Sequence, residues 1–224
     1  MKAMLLAAGR GERMRPLTDT TPKALLGVGG KPLIVWHLER LQRAGFSEIV
    51  INLAHLGDQI EAALQDGREF RVNIVYSREG EALETAGGIV FALPLLGNQP
   101  FIVVNADIYC EFDFSRLRAH AVEEMAHLVL VDNPPHHPRG DFALLQNRVA
   151  VAGVPMLTFS GIGVYRPELF SGIARGTKAP LAPLLRRAMV EHRVTGERYS
   201  GIWRDVGTPE RLKQLDMALA RKHG

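Results

Sequence analysis

Residues Met4 to Lys23 read MLLAAGRGERMRPLTDTTPK. The apolar run Met4, Leu5, Leu6, Ala7, Ala8 predicts a buried strand, and it ends at Gly9 and Gly11, which let the backbone turn tightly and approach a ligand closely. A polar loop follows, in which Arg10, Arg13 and Arg15 are expected to converge. Pro16 and Pro22 stiffen the loop, and Lys23 stands at its far end before Ala24, Leu25 and Leu26. Exposed backbone amides combined with fixed positive charge make an anion cradle, and a nucleoside triphosphate is the natural occupant. The stretch is not a P-loop, because its lysine neither follows a glycine nor precedes Ser or Thr. It is a poor dinucleotide fingerprint too, since the third glycine is missing and no helical pattern starts directly behind Gly11.

Outward from this loop, apolar residues at Leu33, Ile34, Trp36, Leu38 and Leu41 predict a helix opened by Lys31-Pro32 and closed at Gly45. Glu48 to Leu53 reads as a strand, Asp58 to Leu64 as a helix and Val72 to Tyr76 as a strand. Ser77 to Gly88 is a polar segment running into a short helix through Phe91. The alternation predicts an α/β fold, a doubly wound sheet with helices on both faces and ligands at the carboxyl ends of its strands. Phe101 to Asp107, FIVVNAD, is a central strand whose terminal carboxylate emerges where the strand runs out. Residues 113–124 predict a surface helix and His127 to Val131 a buried strand. Phe142 to Leu145 and Val149 to Ala152 predict a hairpin, Phe159 to Tyr165 a strand and Ala179 to His192 a helix. His136 and His137 read as residues of a proline-rich loop, because adjacent histidines in a rigid turn do not readily share one ion. Near the end, Thr208 is an N-cap and Pro209 a first helical residue, which accounts for Gly207-Thr208-Pro209-Glu210 but not for Asp205.

The chain has 224 residues, 46% of them hydrophobic, which suits one domain with a sizeable core. Its single cysteine, Cys110, forms no internal disulfide and no zinc site. No apolar stretch is long enough to span a bilayer, and no signal-peptide pattern opens the chain, so the expectation is a cytoplasmic protein without membrane partners. The net charge of +3 and pI near 9.2 are spread over dispersed residues, and aromatics make up only 7%. Nucleic acid is therefore not the expected partner; the charge suits small polyanions.

The motifs together resemble the sugar-1-phosphate nucleotidylyltransferases, whose signature L-A-A-G-x-G-x-R-x-x-P-x-T, then P-K-x-L, then K-P is matched by Leu6, Ala7, Ala8, Gly9, Gly11, Arg13, Pro16, Thr18, Pro22, Lys23, Leu25, Lys31 and Pro32. The resemblance implies a Rossmann-like, mixed but mainly parallel sheet of the nucleotide-diphospho-sugar transferase type. It implies a single domain over 1–224, the nucleotide part about 1–107, the sugar part and second metal carboxylate about 108–224. Arg13 and Lys23 become the catalytic cations, and Ala8, Gly9, Gly11, Glu12, Arg13, Lys23, Ala82, Leu83 and Thr85 the nucleotide contacts. Asn105, Gly140, Phe159 and Ser160 fall on the sugar, and Asp107 and Asp205 on Mg2+. Two departures stand out. Glu84 occupies a glycine position of the base loop, and Ala152-Gly153-Val154-Pro155 lacks the carboxylate with which many relatives grip sugar hydroxyls. Within the family the chain is most similar to bacterial enzymes that uridylylate N-acetylmuramate α-1-phosphate in cell-wall recycling. That sugar's lactyl carboxylate would be met by Arg139, Arg204 or Lys178. Transfer to glucose, mannose or heptose phosphate or to phosphocholine, and a non-catalytic nucleotide-sensing subunit, are the alternatives.

Overall fold

A computed structural model describes residues 1–119 and 123–223. In chain order the strands are β1 (Ala3–Leu6), β2 (Gly27–Val28), β3 (Lys31–Pro32), β4 (Glu48–Leu53), β5 (Asn73–Arg78), β6 (Phe101–Asn105), β7 (Ile108–Cys110), β8 (Ala126–Val131), β9 (Phe142–Leu145), β10 (Arg148–Ala150), β11 (Met156–Tyr165), β12 (Val194–Tyr199) and β13 (Trp203–Asp205). The helices are α1 (Leu33–Arg43), α2 (Gly57–Leu64), α3 (Glu84–Leu96), α4 (Ser115–Ala119), α5 (Leu181–Val190) and α6 (Pro209–His223).

The continuous apolar runs become the strands of one sheet in the order β5-β4-β1-β6-β11-β8-β12-β10-β9, with β9 also reaching back to β11. β5, β4, β1 and β6 are parallel and β12 is parallel to β8. Of the sheet's strands, β10 and β11 run against the rest. The chain leaves β1 for β4 and β5 on one side, then crosses back to β6 on the other. That reversal opens a crevice at the carboxyl ends of β1 and β6, where open α/β sheets bind ligands. Register sets its floor: Leu6 lies between Asn52 and Asn105.

Helices cover both faces. α1, α2 and α4 press Ile34, Leu38, Leu41, Ile60, Leu64 and Leu117 onto one, and α3 and α5 press Ala86, Ile89, Leu181, Leu185 and Met189 onto the other. α6 packs Leu215 and Leu219 beside Trp36, Leu33 and Val28 in a third cluster. α1 ends as expected, with Gly45 at φ +83° just beyond its last turn.

Some boundaries differ from expectation. Lys31-Pro32 does not open α1 but is an extended pair, because Pro32 faces Gly27 in the β2–β3 ribbon and Leu33 N–H donates to Leu26 at 3.0 Å. α3 continues past Phe91 to Leu96 with Pro94 in its last turn, and Gly97 N–H closes the helix on Leu93 O at 2.8 Å. The hairpin's second strand is Arg148–Ala150 rather than Val149 to Ala152. The helix expected over 113–124 is represented by α4, and residues 120–122 lie outside the described residues.

Candidate active site

The loop after β1 folds over itself. Thr18 Oγ1 donates to Gly11 O at 2.9 Å, and a Cβ on Gly11, whose φ is +67°, would lie 2.9 Å from Thr18 Cγ2 and 3.3 Å from Lys23 Cβ. Glycine is needed there both for the left-handed backbone and for the close approach. The resulting cavity of about 230 Å³ is lined by Gly9, Gly11, Glu12, Arg13, Lys23, Asp107 and Gly207. The three arginines do not converge. Arg15 pairs with Asp19 at 2.7 Å and Arg10 with Glu12 at 3.5 Å, local contacts that the sequence spacing makes easy. Arg13 lines the cavity and has no hydrogen bond or ion pair among the described residues, so its charge is available.

The cavity's far wall joins two distant pieces of chain. β7 pairs antiparallel with β13, setting Ile108 opposite Asp205, and Val206 N–H donates to Asp107 O at 2.9 Å. The backbones that carry Asp107 and Asp205 are thereby set side by side, with Asp107 and Gly207 in the cavity's lining. Lys23 Nζ donates to Asp107 Oδ2 at 2.6 Å, its side chain only 11% exposed. Asp205 is held by Arg211 and by His136, whose Nε2 is 3.0 Å from Oδ1. Beneath them buried His37 donates Nε2–H to Ile108 O at 2.7 Å; burial pushes its pKa down to about 4, so a neutral ring anchors β7. No cluster of three or more metal-ligating side chains exists among the described residues. Asp107 and Asp205 offer the oxygen donors that a hard cation takes, and each is engaged in this structure by a basic side chain, Asp107 by Lys23 and Asp205 by Arg211 and His136.

A second cavity, about 190 Å³, adjoins the first through Leu6, Gly9 and Asp107 and is lined by Ala8, Asn52, Glu79, Ala82, Leu83, Glu84, Thr85 and Asn105. Asn52 and Glu79 build its back. Asn52 Oδ1 accepts from Ala7 N–H at 2.8 Å and its Nδ2 donates to Glu79 Oε1 at 2.6 Å; Glu79 Oε2 accepts from Leu83 N–H at 3.0 Å. One bracket thus ties the phosphate loop to the Ala82-Leu83 turn. Burial pushes the Glu79 carboxyl above its usual range, while both hydrogen bonds oppose that. A Cβ on Gly88 would sit 2.6 Å from Glu79 Oε1, and Gly87 N–H donates to Ala179 O at 3.1 Å, so the glycine pair lets α3 pack this tightly.

Glu84 departs from glycine at a price in conformation: its φ is +62°. A side chain in that region costs about 1–2 kcal/mol. Glu84→Gly is therefore expected to raise stability by about 1 kcal/mol, about 2–4 °C in Tm for a chain of this size, read by thermal melting. Strain kept at a cavity rim points to a working carboxylate, so the same variant should lose substrate affinity.

A third cavity, about 540 Å³, shares Glu84, Thr85 and Asn105 with the second and extends past Asp141, Phe142, Phe159, Leu181, Leu185 and Arg186. Asp141 Oδ2 accepts from Phe159 N–H at 2.8 Å and Oδ1 is 3.0 Å from His137 Nε2. Gly140, at φ +64°, has no room for a Cβ, which would lie 2.7 Å from Asn133 Oδ1 and 2.8 Å from Leu157 O. Ser160 is a correction. It is buried with Oγ donating to Val129 O at 2.7 Å, and its carbonyl accepts from Trp203 Nε1 at 2.9 Å, so its side chain cannot meet a sugar. Phe159, its neighbour, is the residue that lines the cavity. Arg139, Arg204 and Lys178 are absent from the lining; Lys178 lies 3.3 Å from Glu81 and Arg204 donates to Trp203 O at 2.8 Å. Sequence reasoning missed Asn52, Glu79, His136, Asp141, Arg186 and Arg211. Of these, Asn52 alone carried a signal, a polar residue within the apolar run EIVINL.

A phosphate cradle, two carboxylates and two further compartments in one crevice describe a nucleotidyl-transfer site, and the Nucleotidyl transferase family model matches residues 2–147. The chain belongs to this family. It is 60% identical over 222 residues, 96% of each chain, to the N-acetylmuramate α-1-phosphate uridylyltransferase of Neisseria meningitidis serogroup B. It is 36% identical to the enzyme of the same name from Caulobacter vibrioides, over 97% of this chain and 96% of that one. Among solved structures it superimposes with a TM-score of 0.86 and 25% identity, over 98% of this chain and 95% of the other, on a Bacillus anthracis protein assigned as a glucose-1-phosphate thymidylyltransferase in complex with a sucrose. No helix among the described residues is long and apolar enough to cross a membrane.

Proposed function

We propose that the chain transfers uridylyl from UTP to N-acetylmuramate α-1-phosphate, releasing pyrophosphate and UDP-N-acetylmuramate for cell-wall recycling. The carrying observation is that Lys23 and Asp107 pair in the wall of the phosphate cavity, with Asp205 on β13, which pairs with the strand directly after Asp107, beside two further compartments that suit a base and a sugar. The identity to the Neisseria enzyme supports the choice of substrates.

In this reading an oxygen of the sugar phosphate attacks the α-phosphorus of UTP. The new P–O bond forms as the bond between the α-phosphorus and the bridging oxygen to the β-phosphate breaks, and pyrophosphate leaves with that electron pair. The nucleophile is already ionised near neutrality, so no Ser, Cys or His need be activated. The protein's contribution is to hold two anions together and neutralise the charge that develops. Lys23 balances the attacking phosphate; Arg13 and the amides of Gly9 and Gly11 receive the leaving pyrophosphate. Asp107 and Asp205 would hold Mg2+, which supplies Lewis-acid polarisation of the α-phosphate when bound. Ala82, Leu83 and Thr85 face the base, while Asn105, Gly140 and Phe159 belong to the sugar side. The division of labour is one nucleotidyltransferase domain, nucleotide up to about residue 107 and sugar beyond it. A cytoplasmic location follows from the need for UTP.

Pyrophosphate release should be measured with Mg2+ over UTP, dTTP, CTP and GTP, each against N-acetylmuramate-, N-acetylglucosamine-, glucose- and mannose-1-phosphate and phosphocholine. The expected result is turnover with UTP and N-acetylmuramate α-1-phosphate well above every other pair. Turnover greatest with another sugar would keep the chemistry and overturn the substrate. A folded, nucleotide-binding protein inert with every pair would instead be a sensing subunit.

A further inference from the structure

The third cavity is apolar along Phe142, Phe159, Leu181 and Leu185, yet it holds two charged side chains without an ion pair or hydrogen bond among the described residues, Glu84 and Arg186. Their positions differ in a way that gives each a job. Glu84 lines both the second and third cavities and so marks the boundary between nucleotide and sugar, whereas Arg186 lines the third alone. The other acid of this wall, Asp141, is already engaged by His137 and by Phe159 N–H. A sugar whose anomeric phosphate is drawn toward Lys23 therefore leaves its ring substituents between a hydroxyl-accepting carboxylate and a free guanidinium. A guanidinium beside an apolar wall is built for a carboxylate, which it meets through paired N–H donors that a hydroxyl cannot match.

We infer that Arg186, on α5, is the specificity-determining residue of this site, reading a carboxylate carried on the sugar ring and so separating carboxylated sugar-1-phosphates from their uncharged counterparts. The inference rests on the substrate reading above and deepens it, because the lactyl ether is what distinguishes N-acetylmuramate from N-acetylglucosamine. It also accounts for the missing sugar-gripping carboxylate in Ala152-Gly153-Val154-Pro155, since an acid there would oppose the same group. None of the three cations offered with the family resemblance lines the cavity, whereas Arg186 does so from a helix.

The test is steady-state kinetics of the full chain with UTP, Mg2+ and either N-acetylmuramate or N-acetylglucosamine α-1-phosphate, for wild type, Arg186→Ala, Arg186→Lys and Arg186→Glu. Because Arg186 is exposed on the helix surface, all variants should fold, as thermal melting will check. Arg186→Ala is expected to raise KM for the carboxylated sugar by about 10- to 100-fold, the weight of a charge-assisted hydrogen bond, with kcat within a few-fold. Its kinetics with N-acetylglucosamine α-1-phosphate should stay at the wild-type level. Lysine should recover part of the loss, and glutamate should deepen it. A parallel change with both sugars would make Arg186 merely structural, and unchanged KM for the carboxylated sugar would overturn the assignment outright. A wild-type protein that already fails to prefer the carboxylated sugar would overturn the substrate reading and Arg186 with it. Wild-type preference that survives in Arg186→Ala would sink Arg186 alone.

Discussion

Asp107→Ala and Asp205→Ala are each expected to lower kcat by at least about 10²- to 10³-fold, the loss seen when a main source of transition-state charge stabilisation is removed. The two carboxylates lie far apart in sequence, and their backbones are set side by side only because β7 and β13 pair and Val206 N–H closes onto Asp107 O. They act as one unit, so the double variant should be no worse than the poorer single one. Steady-state pyrophosphate release with saturating Mg2+ and both substrates reads this. Near-normal turnover in either variant would remove that carboxylate from the metal assignment. The folds should survive, with one graded difference. Asp107→Ala leaves the 11%-exposed Lys23 ammonium without its partner, while Lys23→Ala leaves a carboxylate that is 45% exposed. An unpaired charge costs most where water cannot reach it, so Asp107→Ala should lower Tm more than Lys23→Ala does.

Lys23→Ala carries the second large effect, a fall in kcat of about 10²- to 10³-fold or more. Lys23 lines the cavity, with its chain against Gly11 and its ammonium on Asp107. An ammonium is a compact point charge, whereas a guanidinium is a broader planar fork that would place its charge elsewhere. Lys23→Arg should therefore rescue little. Single-turnover measurements of pyrophosphate formation would separate this from slow product release. If Lys23→Arg restored most of the rate, charge alone would suffice and the fixed position argued for Lys23 would be wrong.

Contiguous features were the legible ones. The strand before Gly9, the strand leading to Asp107 and the cap at Thr208-Pro209 each carry their geometry within a few residues, and each lies within two residues of its expected bounds. What escaped reading depends on neighbours far along the chain. The Asn52–Glu79 bracket, the hold of His136 and Arg211 on Asp205, and the place of Arg186 exist only once the sheet is assembled. The histidine pair was read from its loop alone, and the loop lands against β13. Arg10 and Arg15 were misread for the opposite reason, as partners two and four residues away, Glu12 and Asp19, satisfied them locally. Ser160 sits in the register shift of β11 between Phe159 and Ile162, and its burial, with Oγ on Val129 O, exists only once β8 pairs beside it. Glu84 was noticed as a departure from glycine, and the positive φ gives the departure its physical meaning.

The most direct test of the account is to follow the phosphate oxygens of the sugar substrate. N-acetylmuramate α-1-phosphate with isotopically labelled phosphate oxygens would be mixed with UTP, Mg2+ and the protein, and the products weighed by mass spectrometry. Attack by the sugar phosphate on the α-phosphorus predicts a nucleotide sugar that retains all of the label, together with unlabelled pyrophosphate. Label in pyrophosphate or inorganic phosphate, or pyrophosphate formed without any nucleotide sugar, would contradict it.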